Sequence, residues 1–181
     1  MEVFVKPYKD INQKEKDDII IMLSQIWTEF TGESEIHHND LTVQSFYIYH
    51  HKKVIAYAGV VLQTIRYCNR DLKVASLSCV AVSSTHQGKG IGKQLVNIAT
   101  DWIEAQNIDI GIFTCQPSLT KFYTHDLRWQ VANQVILKAS HHKQAISSDG
   151  ANVDAIICCL TDDLIIEKTV FYLNLPNGQF V

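Results

Sequence analysis

The chain has 181 residues, of which 46% are hydrophobic and 19% are charged, with 8 glycines and 3 prolines. This composition is typical of a single globular domain, predicted here over residues 1–181, and it excludes disordered, collagen-like and low-complexity chains. The formal net charge of -3 excludes the basic excess that binds a nucleic-acid backbone, so no nucleic-acid partner is expected.

The apolar runs, the N-terminus and the cysteines bear on the cellular compartment. The longest apolar run, residues 54–62, is far shorter than the roughly 20 residues that a membrane helix needs, so no membrane partner is expected. The first ten residues are charged at four positions and lack the apolar core of an export signal. Five cysteines without a C-x-x-C spacing are typical of reduced thiols. We therefore expect a cytoplasmic protein without a disulfide or a metal site.

The first half of the chain predicts a strand, a helix and a meander. Residues 3–8 predict a strand, and apolar residues at helical spacing from Ile19 to Phe30 predict a helix of about four turns. The polar stretch 31–40 predicts a loop or a short helix that faces solvent. Three β-rich runs separated by short polar turns then predict an antiparallel meander, at residues 41–50, 54–65 and 72–82.

The second half predicts a crossover and further strands. A wide apolar stripe from Ile91 to Ile103 predicts an amphipathic helix that packs on a sheet. The elements predicted after it are a strand at 108–115, a short helix at 117–125, and strands at 131–137, 153–160 and 168–175. The predicted fold is α+β (mixed α/β), with a twisted mixed sheet that is antiparallel at its beginning and contains a βαβ crossover.

A glycine-rich segment between a strand and the amphipathic helix carries the chemistry. Backbone N–H groups have no intrahelical partner at such a helix start, and the helix dipole adds roughly half a positive charge. Three glycines remove side chains that would block an anion from these groups. Two lysines in a first helical turn cost roughly 0.3 to 1 kcal/mol each unless they face an anion. The candidate anion-binding residues are Gln87, Gly88, Lys89, Gly90, Ile91, Gly92 and Lys93.

Other interpretations of this segment are weaker. A dinucleotide fingerprint requires a glycine where Lys93 stands, and a Walker A loop requires Ser or Thr where Gln94 stands. Neither a Rossmann site nor a P-loop is supported. A glycine-rich turn with solvated lysines is the remaining structural alternative.

Two runs of sequence resemble a known superfamily. VAVSSTHQGKGIGKQL resembles the pyrophosphate-binding motif of the GNAT superfamily of acyl-coenzyme A N-acyltransferases, a strand followed by Q/R-x-x-G-x-G/A. TCQPSLTKFYTHDLRW resembles the next motif, whose tyrosine, here Tyr123, lies near the thioester sulfur. The order of the elements fits the family over essentially the whole chain. The resemblance implies the GNAT fold, with acetyl-CoA (coenzyme A) as co-substrate.

A narrower resemblance concerns the acceptor. Residues 38–40, residues 47–82 and the tail from position 149 resemble the layout of the aminoglycoside 2'-N-acetyltransferases. Acidic groups receive a cationic substrate in those enzymes, and Asp40 matches one of them. Two other acidic positions are Ser78 and Gln179 here, and a terminal tryptophan is Val181. The resemblance therefore implies a small-molecule amine acceptor that is cationic, and it leaves the aminoglycoside itself open.

The resemblance also implies roles in the reaction. It places the pantetheine arm along the strand end at Val80 and Val82, where backbone groups left unpaired by a splayed neighbouring strand polarise the thioester carbonyl. Tyr123, with an unperturbed pKa near roughly 10, is the candidate general acid for the leaving thiolate. The alternative is that its ring packs beside Phe122 as ordinary core. The glycine that the family has shortly after this tyrosine is missing from residues 124–129.

The sequence leaves the general base open. The candidates are Asp40, His37, His38, His86 and His125. The paired histidines at 37–38, 50–51 and 141–142 are predicted to be surface residues rather than metal ligands, because neighbours on a strand face opposite ways. Cys115 at a strand end is predicted to be a small buried thiol, and a covalent acyl-cysteine is the alternative.

The predicted function is transfer of an acetyl group from acetyl-CoA to a primary amine by direct attack in a ternary complex. Two alternatives stay open: a non-catalytic CoA-binding or sensing module, and an enzyme that acetylates a protein N-terminus or lysine. The sequence also leaves open whether two copies pair as a homodimer through the C-terminal strands.

Overall fold

A computed structural model describes residues 1–125, 127–142, 145–150, 152–159, 169–173 and 175. These residues form two compact units. The first unit contains Met1–Val61 and Leu77–Trp102, and the second contains Leu62–Ser76 and the residues from Ile103 onward. A single domain over 1–181 stays a prediction, and each unit is described by itself.

The described residues form nine strands and three α-helices, as the α+β prediction requires. In chain order they are β1 (Glu2–Pro7), α1 (Gln13–Ser24), β2 (Thr42–His50), β3 (Lys53–Tyr67), β4 (Arg70–Val82), α2 (Ile91–Ala105), β5 (Ile110–Cys115), α3 (Thr120–Thr124), β6 (Gln130–Val131), β7 (Val135–Lys138), β8 (Asp154–Cys159) and β9 (Thr169–Tyr172). Single 3-10 turns lie at Tyr8–Asp10, Thr28–Phe30, Ser84–His86 and Pro117–Leu119. None of the helices in the described residues combines the length and the apolarity that crossing a bilayer would need.

The first four strands form the predicted antiparallel meander. They are hydrogen-bonded in the order β1-β2-β3-β4, and β1 pairs antiparallel with β2. The turn from β2 to β3 contains His51 and Lys52 with φ of 47° and 61°, and the turn from β3 to β4 contains Cys68 and Asn69 with φ of 44° and 63°. Two successive residues with positive φ are typical of the tight turns that join antiparallel strands.

Helix α1 is shorter than its apolar spacing predicts. It begins with a capping box, in which the side chains of Asn12 and Glu15 each bond to the backbone N–H of the other. It ends at Ser24, and Trp27 is extended, with φ -127° and ψ 117°. The prediction of a helix through Phe30 was therefore wrong, because the last apolar residues reach the same core from the segment after α1, which contains a 3-10 turn.

The βαβ crossover is confirmed. Helix α2 follows β4 and buries Leu95 and Ala99. After it, β5 pairs parallel with β4, at Val74 opposite Ile110 and at Ala75 opposite Gly111. The Trp102 ring of α2 packs edge-on against Phe46 of β2, with centroids 5.9 Å apart, so the apolar stripe of α2 faces the sheet. The helix begins at Ile91, shortly after β4 ends at Val82.

In the second unit the strands are hydrogen-bonded in the order β4-β5-β8-β6. β8 runs antiparallel to both β5 and β6. The prediction of one strand over 131–137 was wrong, because a turn in which Val135 N–H donates to the Ala132 carbonyl at 3.0 Å divides it. The first part, β6, pairs with β8, and the second part, β7, pairs parallel with β9.

Candidate active site

The segment 83–92 leads from β4 through a short loop into the first turn of α2, which begins at Ile91. Gly88 and Gly90 have φ of +73° and +78°, a region that favours glycine. Among the described residues, nothing lies within 4 Å of where a Cβ would stand on either glycine. The Gly90 carbonyl accepts the first α2 hydrogen bond, from Gln94 N–H at 3.0 Å. The N–H groups of Ile91 and Gly92 therefore lie in the first turn, before intrahelical bonding begins.

Three side chains of this segment form hydrogen bonds to other residues within it or at the end of β4. The Gln87 side-chain amide donates to the Val82 carbonyl at 3.0 Å, and the Lys89 ammonium donates to the Thr85 carbonyl at 2.8 Å. A ring nitrogen of His86 lies 2.8 Å from the Ser83 hydroxyl. The structure thus brings the candidate anion-binding residues together, and it gives Gln87 and His86 internal partners. Lys89 and Lys93 are exposed at the helix start, whereas the Ile91 side chain is buried.

Strand β4 departs from regular geometry just before the loop. Cys79 has φ +51°, which is unusual for a non-glycine residue inside a strand and marks a local distortion of the bulge type. Val80 and Val82 follow it and are half-buried. Parallel pairing of β4 with β5 covers Val74 and Ala75, so Val80 and Val82 come later in the strand than that pairing. Burial raises the pKa of the Cys79 thiol to about 11, which keeps it protonated at neutral pH.

Tyr123 lies on α3 in the second unit and is 5% exposed. Its ring packs edge-on against Phe113 and Phe122, each with centroids 4.8 Å away. Burial, with a smaller contribution from Cys115, raises the pKa of Tyr123, so the phenol carries its proton at neutral pH. The helix ends at Thr124, and His125 after it has φ -90° and ψ 118°, which any residue adopts, so this helix end does not require the missing glycine.

A polar contact that sequence reasoning missed lies beside Tyr123. The Thr120 hydroxyl donates to the Asp154 carboxylate, and the Cys115 sulfur lies 3.9 Å from the same hydroxyl. The pKa of the Cys115 thiol is raised, chiefly by burial and also by the charge of Asp154. A protonated thiol is a poor nucleophile, which disfavours an acyl-cysteine. Only the antiparallel register that sets Cys115 opposite Asp154 brings these residues together, and no local pattern signals it.

Asp40 lies in the loop that joins α1 to β2. Its side chain is 82% exposed, and its carboxylate lies 3.5 Å from a ring nitrogen of His38. The carboxylate is therefore open to a cationic ligand from solvent. Ser78, which stands at a second acidic position of the narrower resemblance, is buried. Gln179 and Val181 lie outside the described residues.

His37 lies in the same loop, and the prediction that it is a surface residue was wrong. It is 2% exposed, and its Nε2 lies 2.8 Å from the Tyr57 hydroxyl, which lies 2.9 Å from the Ser45 hydroxyl. A Cβ on Gly59 would stand 2.7 Å from His37 Nε2, so a glycine in β3 makes room for the ring. Burial lowers the pKa of His37 to about 4, which makes it a weak base.

The other paired histidines lie nearer the surface. The His50 ring lies 4.0 Å from that of His51 and 5.7 Å from that of His86, between centroids. His141 stacks on Tyr172 at 3.9 Å. In the part of the chain that the structure describes, no three His, Cys, Asp or Glu side chains are grouped so that they would hold a metal ion.

Comparison with known proteins identifies the class. Residues 8–127 match the model of the acetyltransferase (GNAT) family. The chain therefore belongs to this family, and the prediction of an acyltransferase of the acetyl-CoA-dependent N-acetyltransferase class is confirmed. No curated protein sequence matches the chain.

Solved structures share the fold at low sequence identity. The GNAT family N-acetyltransferase YhbS from Escherichia coli, in complex with CoA, is 13% identical with a TM-score of 0.63 over 95% of this chain and 89% of that chain. An acyl-CoA N-acyltransferase from Pseudomonas aeruginosa is 13% identical with a TM-score of 0.61, over 87% and 99%. An aminoglycoside 6'-N-acetyltransferase complexed with coenzyme A is 13% identical with a TM-score of 0.58, over 90% and 99%. These likenesses confirm the predicted GNAT-like fold.

Proposed function

We propose that the chain transfers the acetyl group of acetyl-CoA to the primary amine of a small cationic acceptor, by direct attack in a ternary complex. The observation that carries the proposal is the glycine loop at the start of α2. It combines two positive-φ glycines, open space at both of them and first-turn N–H groups. Such a helix start binds phosphate groups.

Each residue of the loop has its own role in binding the diphosphate. The N–H groups of Ile91 and Gly92 donate to it, and the helix dipole favours its charge. Lys89 and Lys93, exposed beside these groups, add positive charge. Gly88 and Gly90 keep the approach open, and Gln87 holds the loop to the end of β4. These residues fit the diphosphate of CoA, because Gly88 and Gly90 have no side chains that would occupy the space in front of the N–H groups.

The reacting end of CoA needs a polarised carbonyl and a proton donor. Backbone groups of Val80 and Val82, after the distortion at Cys79, hold the pantetheine arm and polarise the thioester carbonyl. Tyr123 donates its proton to the departing thiolate. The raised pKa of the buried phenol keeps this proton on the oxygen at neutral pH. The raised pKa of Cys115 supports direct transfer over a covalent intermediate.

The exposed carboxylate of Asp40 receives the cationic acceptor. A net charge of -3 favours such a ligand over an anionic one. Because Asp40 is solvent-exposed, it contributes to recognition through charge rather than through burial. Acceptors are best sought among aminoglycosides, polyamines and short peptides, scored by thiol release from acetyl-CoA.

Thermal and chemical unfolding with and without acetyl-CoA test the binding loop. At 100 times its dissociation constant, acetyl-CoA should stabilise the protein by about 2.7 kcal/mol. Gly90→Glu should abolish this shift, because it adds bulk and negative charge where the diphosphate binds. Gly150→Glu is the matched control, since Gly150 also has a positive φ, of 81°, and no atom of the described residues lies within 4 Å of a Cβ placed on it. A wild-type protein that acetyl-CoA does not stabilise would refute the proposal.

A further inference from the structure

One carboxylate of the second unit is held against the helix that carries Tyr123. Asp154 begins β8 and pairs with Cys115, the last residue of β5. It accepts the hydroxyl hydrogen bond of Thr120, the first residue of α3. Residues three apart on a helix share a face, with Cβ atoms about 5–6 Å apart, so Thr120 and Tyr123 are neighbours. Asp154 is thus held by a residue that lies one helical turn before Tyr123 on α3.

Electrostatic effects connect the same groups. The charge of Asp154 acts on Cys115, and Cys115 acts on Tyr123. Within the described part of the chain, Thr120 is the one side chain that bonds to Asp154, through Oδ2. The carboxylate is half-buried, and its second oxygen, Oδ1, has capacity for another donor.

Amine acetylation requires a base in addition to the backbone N–H groups that bind the diphosphate and the proton donor Tyr123. An alkylamine resembles a lysine side chain, with a pKa of about 10.4, so at neutral pH it is an ammonium ion without a free electron pair. His37 is buried and weakly basic, and the Asp40 carboxylate is exposed to water. His38, His86 and His125 stay open as alternatives, and Asp154 is a further candidate beside the helix of Tyr123.

We propose that Asp154 is the base that takes the proton of the acceptor ammonium, and that Thr120 is the positioning residue that aims its carboxylate. This inference rests on the proposed function, because it assumes that the reaction occurs beside Tyr123. Asp154 attracts the cation and takes its proton at Oδ1, while Tyr123 serves the leaving group. The two groups of opposite role lie on neighbouring elements of one unit.

The proton balance closes. Asp154 removes one proton from the ammonium, and the amine nitrogen forms a bond to the carbonyl carbon as the carbon–sulfur bond breaks. The departing thiolate takes the phenolic proton of Tyr123. The nitrogen loses a second proton, which returns to Tyr123 through water, and Asp154 gives its proton to solvent. One proton is released for each acetyl group transferred.

The decisive experiment is the pH profile of Asp154→Asn, which keeps the size of the side chain and an acceptor for Thr120. Base catalysis is worth typically 10²–10⁴-fold. We expect kcat/KM near pH 7 to fall by about 100-fold or more, and the deficit to shrink as the pH approaches the pKa of the amine. Stabilisation by acetyl-CoA should be unchanged. A deficit that stays constant with pH, or no deficit, would overturn the role of Asp154.

Thr120→Val is the companion variant and keeps the shape of the side chain. It should lower kcat by about 3- to 10-fold with little change in KM, and its pH profile should parallel that of the wild type. If Asp154→Asn does not fold, this variant decides: an unchanged kcat overturns the inference. Failure of the proposed function differs from both results, because the wild-type protein would then release no thiol with any amine.

Discussion

The glycine loop at the start of α2 and the polar contact beside Tyr123 are built in different ways. The loop depends on neighbours in sequence, from the Gln87 bond to Val82 to the positive φ of two glycines. The contact between Thr120 and Asp154 spans 34 positions and exists because β8 pairs with β5. The loop can therefore be recognised from a short motif, whereas the contact becomes visible only in the folded sheet.

The sharpest test of the second region removes the hydroxyl of Tyr123. Tyr123→Phe keeps the ring that packs against Phe113 and Phe122. We expect kcat to fall by about 10²- to 10⁴-fold, because the departing thiolate loses its proton donor. Binding of acetyl-CoA, measured by thermal shift, should stay at the wild-type level.

A matched control is Tyr49→Phe, which removes a hydroxyl that donates to Asp18 at 2.8 Å in the first unit. This variant should lose some stability and no activity. If Tyr123→Phe retains full kcat, Tyr123 only packs in the core, and the region around it has no general acid.

Buried His37 extends the comparison to stability. The pKa of His37 is about 4 in the folded protein against 6.5 when unperturbed, because burial opposes its charge. The unfolded chain takes up a proton below pH 6.5 and the folded protein does not. The free energy of unfolding should therefore fall by about 3 kcal/mol as the pH drops from about 6.5 to about 4.

Denaturant unfolding at several pH values measures this loss. His37→Gln is neutral throughout the range and is the reference, so the pH-dependent difference between wild type and variant isolates this histidine. Parallel curves for the two proteins would show that His37 titrates normally. The lowered pKa depends on residues that are distant in sequence, since Tyr57 contacts the ring and the missing side chain of Gly59 in β3 makes room for it.

Much of the fold was predictable because its signals are local. The strand periodicity, the paired turn residues and the apolar stripe of α2 each lie within a short stretch of sequence. The errors arose where the partner is distant. The Ile26–Phe30 spacing looks helical, yet α1 ends at Ser24, and Ile26, Trp27 and Phe30 reach its core from the segment that leads into a 3-10 turn. Burial of His37 likewise depends on Gly59, 22 positions later, where the missing Cβ makes room for the ring.

The same division applies to the candidate site. The binding residues of the loop follow from a motif, and the structure adds that Gln87 serves as an internal brace. Asp154 carries no motif, because a single acidic residue at a strand start is common. Its nearness to α3 comes from the antiparallel register of β8 and β5, which alternation of apolar residues alone does not fix.

The smallest expected effect concerns that brace. Gln87→Ala removes one exposed hydrogen bond to the Val82 carbonyl, which is worth about 0.5–1.5 kcal/mol. Affinity for acetyl-CoA should fall by about 2- to 10-fold, since the loop must then be ordered by the ligand. Titration with acetyl-CoA checks this. The control is Gln94→Ala, at an exposed residue in the first turn of α2. A loss far above 10-fold would mean that the Gln87 amide contacts the ligand directly, so the loop would recognise CoA through a side chain as well as through its backbone.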